Sequence, residues 1–308
     1  MKQPKKIVSV VGKLLILASF VFIIRQVLRY DVDFSVLASP FVIAGLLLTA
    51  LAFGAGIVFG GVNYRWLIGN VTGVSLDPRL VIRLYCISNL YKYIPGTVMF
   101  LVGRNRIALE TNKVTHAQIA LATVMEGVFI ILATIITIVF SVHGEAVSYM
   151  RQVNIPGFVW IIIGAIVFVA VLLAVIFRRR LRTTLKEFAD TMKNFSLAAK
   201  AKRLGTAILI IVVMAVTYLV TLMLLGQQVT LAMVPTIVGL YLLSWLAGFL
   251  TPGAAGGMGI REAVLLMFMG TYLSPTIVVP SAIMHRVVCI VGDVFAYGIA
   301  SGYSRSGK

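Results

Sequence analysis

Three histidines and two cysteines are scattered through 308 residues, too sparsely for most metal-centred chemistry. There is no Asp-rich motif, no His cluster and no nucleotide loop. Cys86 and Cys289 each sit in an apolar run without metal-ligand spacing, so neither a zinc site nor a disulfide is expected. No cofactor of any kind is expected. Acidic side chains are scarce too, with 10 Asp and Glu against 27 Lys and Arg, a formal net charge of +17. Charged residues make up 12% of the chain, where a soluble domain carries about 25%. So little polar surface could not cover a water-soluble globule. The excess of positive charge does not indicate nucleic acid, because the basic residues lie in short loops beside apolar runs. That is the positive-inside pattern of membrane proteins facing anionic headgroups.

What the chain has in abundance is apolar length. It is 60% hydrophobic with a mean hydropathy of +1.02. The expected fold is an all-α polytopic integral membrane protein of about 7–8 transmembrane helices, since about 20 apolar residues cross a hydrocarbon core. Spans are expected near Ile7–Val27, Phe41–Val62, Gln118–Phe140, Gly157–Phe177, Thr206–Leu225, Leu231–Leu250 and Thr276–Ala300. They form a single membrane domain over residues 1–308, placed in the cell (inner, cytoplasmic) membrane. Lys2, Lys5 and Lys6 put the N-terminus on the cytoplasmic side, and Arg305 and Lys308 do the same for the C-terminus. No small-residue cleavage site follows the first apolar run, so it reads as an uncleaved span. The basic segment 178–204 reads as a cytoplasmic loop that sets topology and meets headgroups, or docks a partner.

Two stretches break the pattern. Leu80 to Ile94 is apolar but carries Arg83 and Lys92 and stops at Pro95-Gly96. A short run then meets Gly103-Arg104-Asn105-Arg106. Later, Leu250 leads into Thr251-Pro252-Gly253-Ala254-Ala255-Gly256-Gly257-Met258-Gly259-Ile260-Arg261-Glu262, followed by a half-length apolar helix from Ala263 to Leu273. Neither stretch is long enough to span, so both read as short re-entrant or broken-helix hairpins. In each an Arg falls nine residues after the Pro, which suggests an internal repeat. Paired Gly/Pro-interrupted segments in two halves of a chain point to a transporter's binding site. Pro95, Gly96, Gly103, Pro252, Gly253, Gly257 and Gly259 are the expected hinges. A helix N-terminus after a glycine turn favours anions, and an adjacent Arg grips phosphate.

The same residues carry a resemblance. Asn89-Leu90-Tyr91-Lys92-Tyr93-Ile94-Pro95-Gly96, Gly103-Arg104, and Pro252-Gly253 with Gly257-Met258-Gly259-Ile260-Arg261-Glu262 resemble the membrane region of lysylphosphatidylglycerol synthases and their stand-alone flippase-like relatives. His285-Arg286 is similar to a pair in that family's last helix. The resemblance covers roughly Tyr30 to Tyr303 and departs at the glycine core, which is lengthened here. It implies movement of amphipathic lipids between leaflets. The family's soluble aminoacylating domain is not expected within this chain.

Ionisable residues inside spans are costly and face a cavity or a partner. On that ground Arg104, Arg261 and Arg286 are the expected phosphate grips, with Glu126, Glu262 and Asp293 balancing them. Structural ion pairs are the competing reading, Arg286 with Asp293 or Arg261 with Glu262. Glu126 has no basic residue on its own helix face. Asn89, Lys92, Tyr93, Arg106 and His285 complete the expected headgroup set, although Lys92 could equally snorkel and Arg106 could anchor at the interface. Tyr241, Trp66, Trp160 and Trp245 read as interface belts or helix packing.

Three functions follow as expectations. The first is a flippase for an anionic, aminoacylated or glycosylated (polyprenyl-)phospholipid. The second is an integral-membrane transferase acting on a lipid phosphate. The third is an accessory subunit of a lipid-modifying synthase or glycosyltransferase. Membrane lipids are the expected partners, nucleic acid is not, and a homo-oligomer is compatible with the sequence.

Overall fold

A computed structural model describes residues 28, 35–93, 99–142, 178–251, 257 and 259–305. The described residues are helical, joined by turns, with no strand among them. We number the helices α1 Pro40–Thr72, α2 Pro78–Leu90, α3 Met99–Thr111, α4 His116–Ser141, α5 Arg178–Asn194, α6 Leu197–Leu224, α7 Met233–Leu250, α8 Ile260–Met269 and α9 Pro275–Arg305. Five of them, α1, α4, α6, α7 and α9, are long and apolar enough to cross a membrane. The chain is therefore an all-α, multi-pass membrane protein. The expected spans at 7–27 and 157–177 lie outside the described residues, as do Pro95, Gly96, Pro252 and Gly253.

Large apolar side chains remain exposed along the spans, including Phe41, Leu48, Val139, Phe140, Leu209 and Val216. In water this would be an aggregation surface; on a membrane helix it is the side that meets lipid. The buried residues form two main cores. One joins Tyr64, Leu67, Ile68, Leu84, Ile107 and Met125 from α1 to α4. The other joins Phe129, Ile211, Tyr218, Leu240, Leu265 and Val278 from α4 and α6 to α9. Helix α4 contributes to both, and Glu126 falls between its two sets of core residues.

Helices α1 and α9 cross closely. A Cβ on Gly54 would stand 2.6 Å from the Gly292 carbonyl oxygen, and one on Gly292 would stand 2.7 Å from the Ala50 oxygen. Backbone meets backbone here, as small residues allow in membrane helices. The approach buries the neighbouring Asp293 completely. Gly292→Val is expected to destabilise the fold by about 1–3 kcal/mol through overpacking. Thermal unfolding in detergent should show this, while Gly298→Ala, whose Cβ would meet nothing within 4 Å, leaves the midpoint unchanged.

Two expectations about local structure are corrected. Residues 103–106 do not end a helix, because α3 runs through them to Thr111. Gly103 lies against Tyr91 and Ser88, where a side chain would collide, so here the glycine permits close packing of α2 and α3 rather than a turn. The basic segment 178–204 is not a loop. It forms α5 and the first turns of α6, with Ser196 capping α6 through the Ala199 N–H. Phe188, Met192 and Phe195, at helical spacing, pack into the cores while Arg182, Lys186 and Lys193 stay exposed.

Candidate functional site

Among the described residues, three polar clusters contain the ionisable groups singled out in the sequence. The first surrounds Arg104, which is 5% exposed and pairs with Glu126, 7% exposed, across the α3–α4 contact. Tyr85 donates to the other Glu126 oxygen at 2.9 Å. The Arg104 guanidinium stacks 4.6 Å from the Tyr64 ring and 4.5 Å from the Tyr85 ring. Tyr64 is held in turn by Thr123 at 2.7 Å. The expected absence of a basic neighbour for Glu126 holds only along α4 itself; its partner arrives from another helix. The pair is neutral and closely wrapped.

The second cluster joins α2 to α9. The three residues after α2, Tyr91 to Tyr93, form a 3-10 turn. From it Lys92 reaches Asp293 at 2.6 Å, and Tyr93 donates to the same carboxylate oxygen, also at 2.6 Å. Lys92 is therefore engaged by a buried carboxylate, and Asp293 does not pair with Arg286 despite sharing a helix face with it. The other Asp293 oxygen and the Asn89 side-chain nitrogen are buried with no hydrogen-bond partner among the described residues.

The third cluster lines a small, partly open cavity. Tyr218, Tyr241, Ser244, Arg261, Glu262, Leu265, Ala282, His285 and Arg286 form its walls. Gly259 takes a positive φ of 82° just before α8 and so turns the chain into that helix. Gly257 also has a positive φ, 72°, and packs against Gly248 of α7. Glu262 accepts the Gly259 N–H at 2.7 Å, so the residue before α8 is capped from within the chain. The other Glu262 oxygen pairs with Arg286. This leaves Arg261 without a carboxylate within ion-pair distance among the described residues. Its hydrogen-bond partner is the neutral Tyr241 hydroxyl, at 3.0 Å. The expected Arg261–Glu262 pair is thus replaced by Arg286–Glu262, because adjacent residues on a helix point in different directions.

Arg106 stands apart from all three clusters. It is an exposed side chain that pairs with Glu110 one turn along α3 at 2.8 Å, and it does not enter a site. Trp245 stacks on Phe249 at 5.0 Å and Lys202 sits 4.5 Å over Trp66, both packing or surface contacts. Trp160 lies outside the described residues. Tyr241, expected in a belt, is 2% exposed and touches Arg261, Tyr218 and His285. Sequence reasoning also passed over Tyr64, Tyr85, Tyr218 and Thr217, polar groups hidden in apolar runs. Arg203, counted with the basic segment, is 4% exposed and donates to the Asn63 carbonyl at 3.0 Å, tying α6 to α1.

The charge balance separates the clusters. Arg104 with Glu126 sums to zero, as does Lys92 with Asp293. In the cavity, two guanidiniums against one carboxylate leave one positive charge. Among the described clusters, the third combines a cavity with an uncompensated cation. No family model matches the chain and no curated protein matches it, so the resemblance to flippase-like membrane proteins rests on the residues quoted for it.

Proposed function

We propose that the protein binds an anionic lipid headgroup at Arg261 and moves it between leaflets. The observation that carries this reading is the single positive charge left over in the cavity. A half-buried cation without a counter-charge in contact is costly, and a phosphodiester supplies the one negative charge that balances it. Its two non-bridging oxygens suit the planar fork of a guanidinium. Ser244, Tyr241 and Tyr218 place hydroxyls around the same space. The cavity is small as it stands, so entry of even a phosphate requires the lining side chains to shift. Passage of a whole headgroup then requires the surrounding helices to part. In this reading α2–α3 and the end of α7 with α8 are re-entrant hairpins flanking the route. The likeness of both segments to flippase-like proteins supports the same conclusion, and α9, which touches both hairpins, carries groups from two of the clusters.

The test is reconstitution of the purified chain in liposomes carrying a labelled anionic phospholipid. Labelled headgroups should become accessible to an external quencher faster than in protein-free vesicles of the same composition. Equal rates would overturn the proposal. Faster movement of a zwitterionic than of an anionic lipid would overturn the assignment of the positive cavity as its selective element.

A further inference from the structure

The hydrogen-bond directions around His285 can be worked out from its neighbours. His285 is 3% exposed and lies on α9 beside the cavity. Thr217 Oγ donates its own hydrogen to the Met214 carbonyl at 2.7 Å. At 3.1 Å from His285 Nε2 it can then only accept, so Nε2 carries a hydrogen. On the other side, Arg261 has donors alone, so the Tyr241 hydroxyl accepts from it. The Tyr241 hydrogen is left to point toward His285 Nδ1, 3.5 Å away, which is an acceptor in the neutral ring. Cys289 Sγ, 3.7 Å from Nδ1, is a second and weaker donor there. The relay therefore runs from Arg261 through Tyr241 and His285 to Thr217, and it ends on a backbone carbonyl.

We propose that His285 takes up a proton when an anion enters this cavity, so that anion binding and protonation are coupled. This inference rests on the anion-site reading above. A proton on Nδ1 reverses the middle of the relay: Nδ1 now donates to the Tyr241 oxygen, and the Tyr241 hydrogen needs a new acceptor. Tyr241 lines the cavity, and an oxygen of the bound anion provides that acceptor. Charge acts in the same direction. Without an anion, a proton on His285 raises the cavity from +1 to +2; with a monoanion in place the change is from 0 to +1. The groups that face His285 are Arg261 and Glu262 from α8, Tyr241 from α7, Tyr218 from α6, and Arg286 and Cys289 from α9. Among them Arg261, Arg286 and Glu262 are the charged side chains, and Glu262 is engaged with Arg286. Asp293, two turns further along α9, is held by Lys92 and Tyr93. His285 is thus the titrating group that an arriving anion affects most directly. By linkage, an anion that strengthens proton binding is itself bound more tightly as pH falls.

The experiment is calorimetric titration of the purified full chain in detergent with a short-chain phosphatidylglycerol. This phosphodiester keeps one charge across the range from about pH 5.5 to about pH 8.5, which brackets histidine titration. Repeating each titration in two buffers of different ionisation enthalpy counts the protons taken up. The expected result is uptake of a fraction of one proton, growing toward the acid end of the range. Affinity should be about tenfold higher at the acid end than at the alkaline end. His285→Gln should bind with pH-independent affinity and no uptake. The double variant H116Q/H143Q, which keeps His285 as its one histidine, should retain the full effect. It also serves if His285→Gln does not fold. Binding without proton uptake in the unaltered protein overturns the coupling and leaves the anion site standing. Uptake that persists in His285→Gln assigns the proton elsewhere and overturns the role of His285. No binding at any pH overturns the anion site itself, and the coupling with it.

Discussion

Arg261→Gln should abolish headgroup binding and lipid translocation while leaving the fold nearly untouched. The reason is the asymmetry of its surroundings. Arg261 touches the Tyr241 hydroxyl and no carboxylate among the described residues, so its removal leaves no buried counter-charge behind. What disappears is the positive charge available to an anion, together with a two-pronged charged hydrogen bond. That interaction accounts for about 3 kcal/mol, roughly a hundredfold in affinity. Arg261→Lys keeps the charge but not the fork, and should recover part of the binding and little of the rate. Calorimetry with the short-chain anionic lipid and the liposome assay read the loss, and a melting curve in detergent reads the fold. Wild-type translocation in Arg261→Gln would remove this residue from the site.

Glu126→Gln should give the opposite pattern, with a large loss of stability. The carboxylate is 7% exposed and neutralises Arg104, whose guanidinium lies between two tyrosine rings with no second acid in contact among the described residues. Removing one member of a buried pair leaves the other charge uncompensated, at a cost of about 3–5 kcal/mol. Replacing both, as in Arg104→Met with Glu126→Leu, removes the stranded charge and should restore much of the stability. A double-mutant cycle on thermal unfolding isolates the coupling. A Glu126→Gln protein as stable as the unaltered chain would show that the pair does not hold the α3–α4 contact. The two experiments distinguish an arginine that binds from an arginine that braces, although both stood in matching places in the sequence.

That distinction shows what could be read from the chain alone. The apolar runs located the five described membrane-length helices, although two of them run nine or ten residues past the expected end, Pro40–Thr72 at its C-terminus and Leu197–Leu224 at its N-terminus. The rarity of charge in those runs drew attention to Arg104, Glu126, Arg261, Glu262, Arg286 and Asp293. Their partners could not be read. Arg104 finds Glu126 across 22 positions, Arg286 finds Glu262 across 24, and Tyr93 finds Asp293 across 200. Helical periodicity tells which face a residue occupies and not which helix lies opposite. For the same reason the polar roles of Tyr64, Tyr85, Tyr218 and Tyr241 were hidden, since an aromatic ring in an apolar run reads as packing until a guanidinium is found against it. Gly103 illustrates a further limit: glycine permits a turn and a close helix contact alike, and only the presence of Tyr91 and Ser88 decides for the contact.

The sequence by itself determined that this is a helical membrane protein with ionisable groups inside its bundle. Composition forces burial in lipid, and an all-helical backbone satisfies its own hydrogen bonds there. Only the tertiary structure decided which of those groups cancel and which is left over. Ion pairing depends on distances of a few ångströms between helices remote in sequence. At those distances Glu126 and Asp293 are engaged by Arg104 and Lys92, Glu262 by Arg286, and Arg261 keeps its charge at the wall of a cavity.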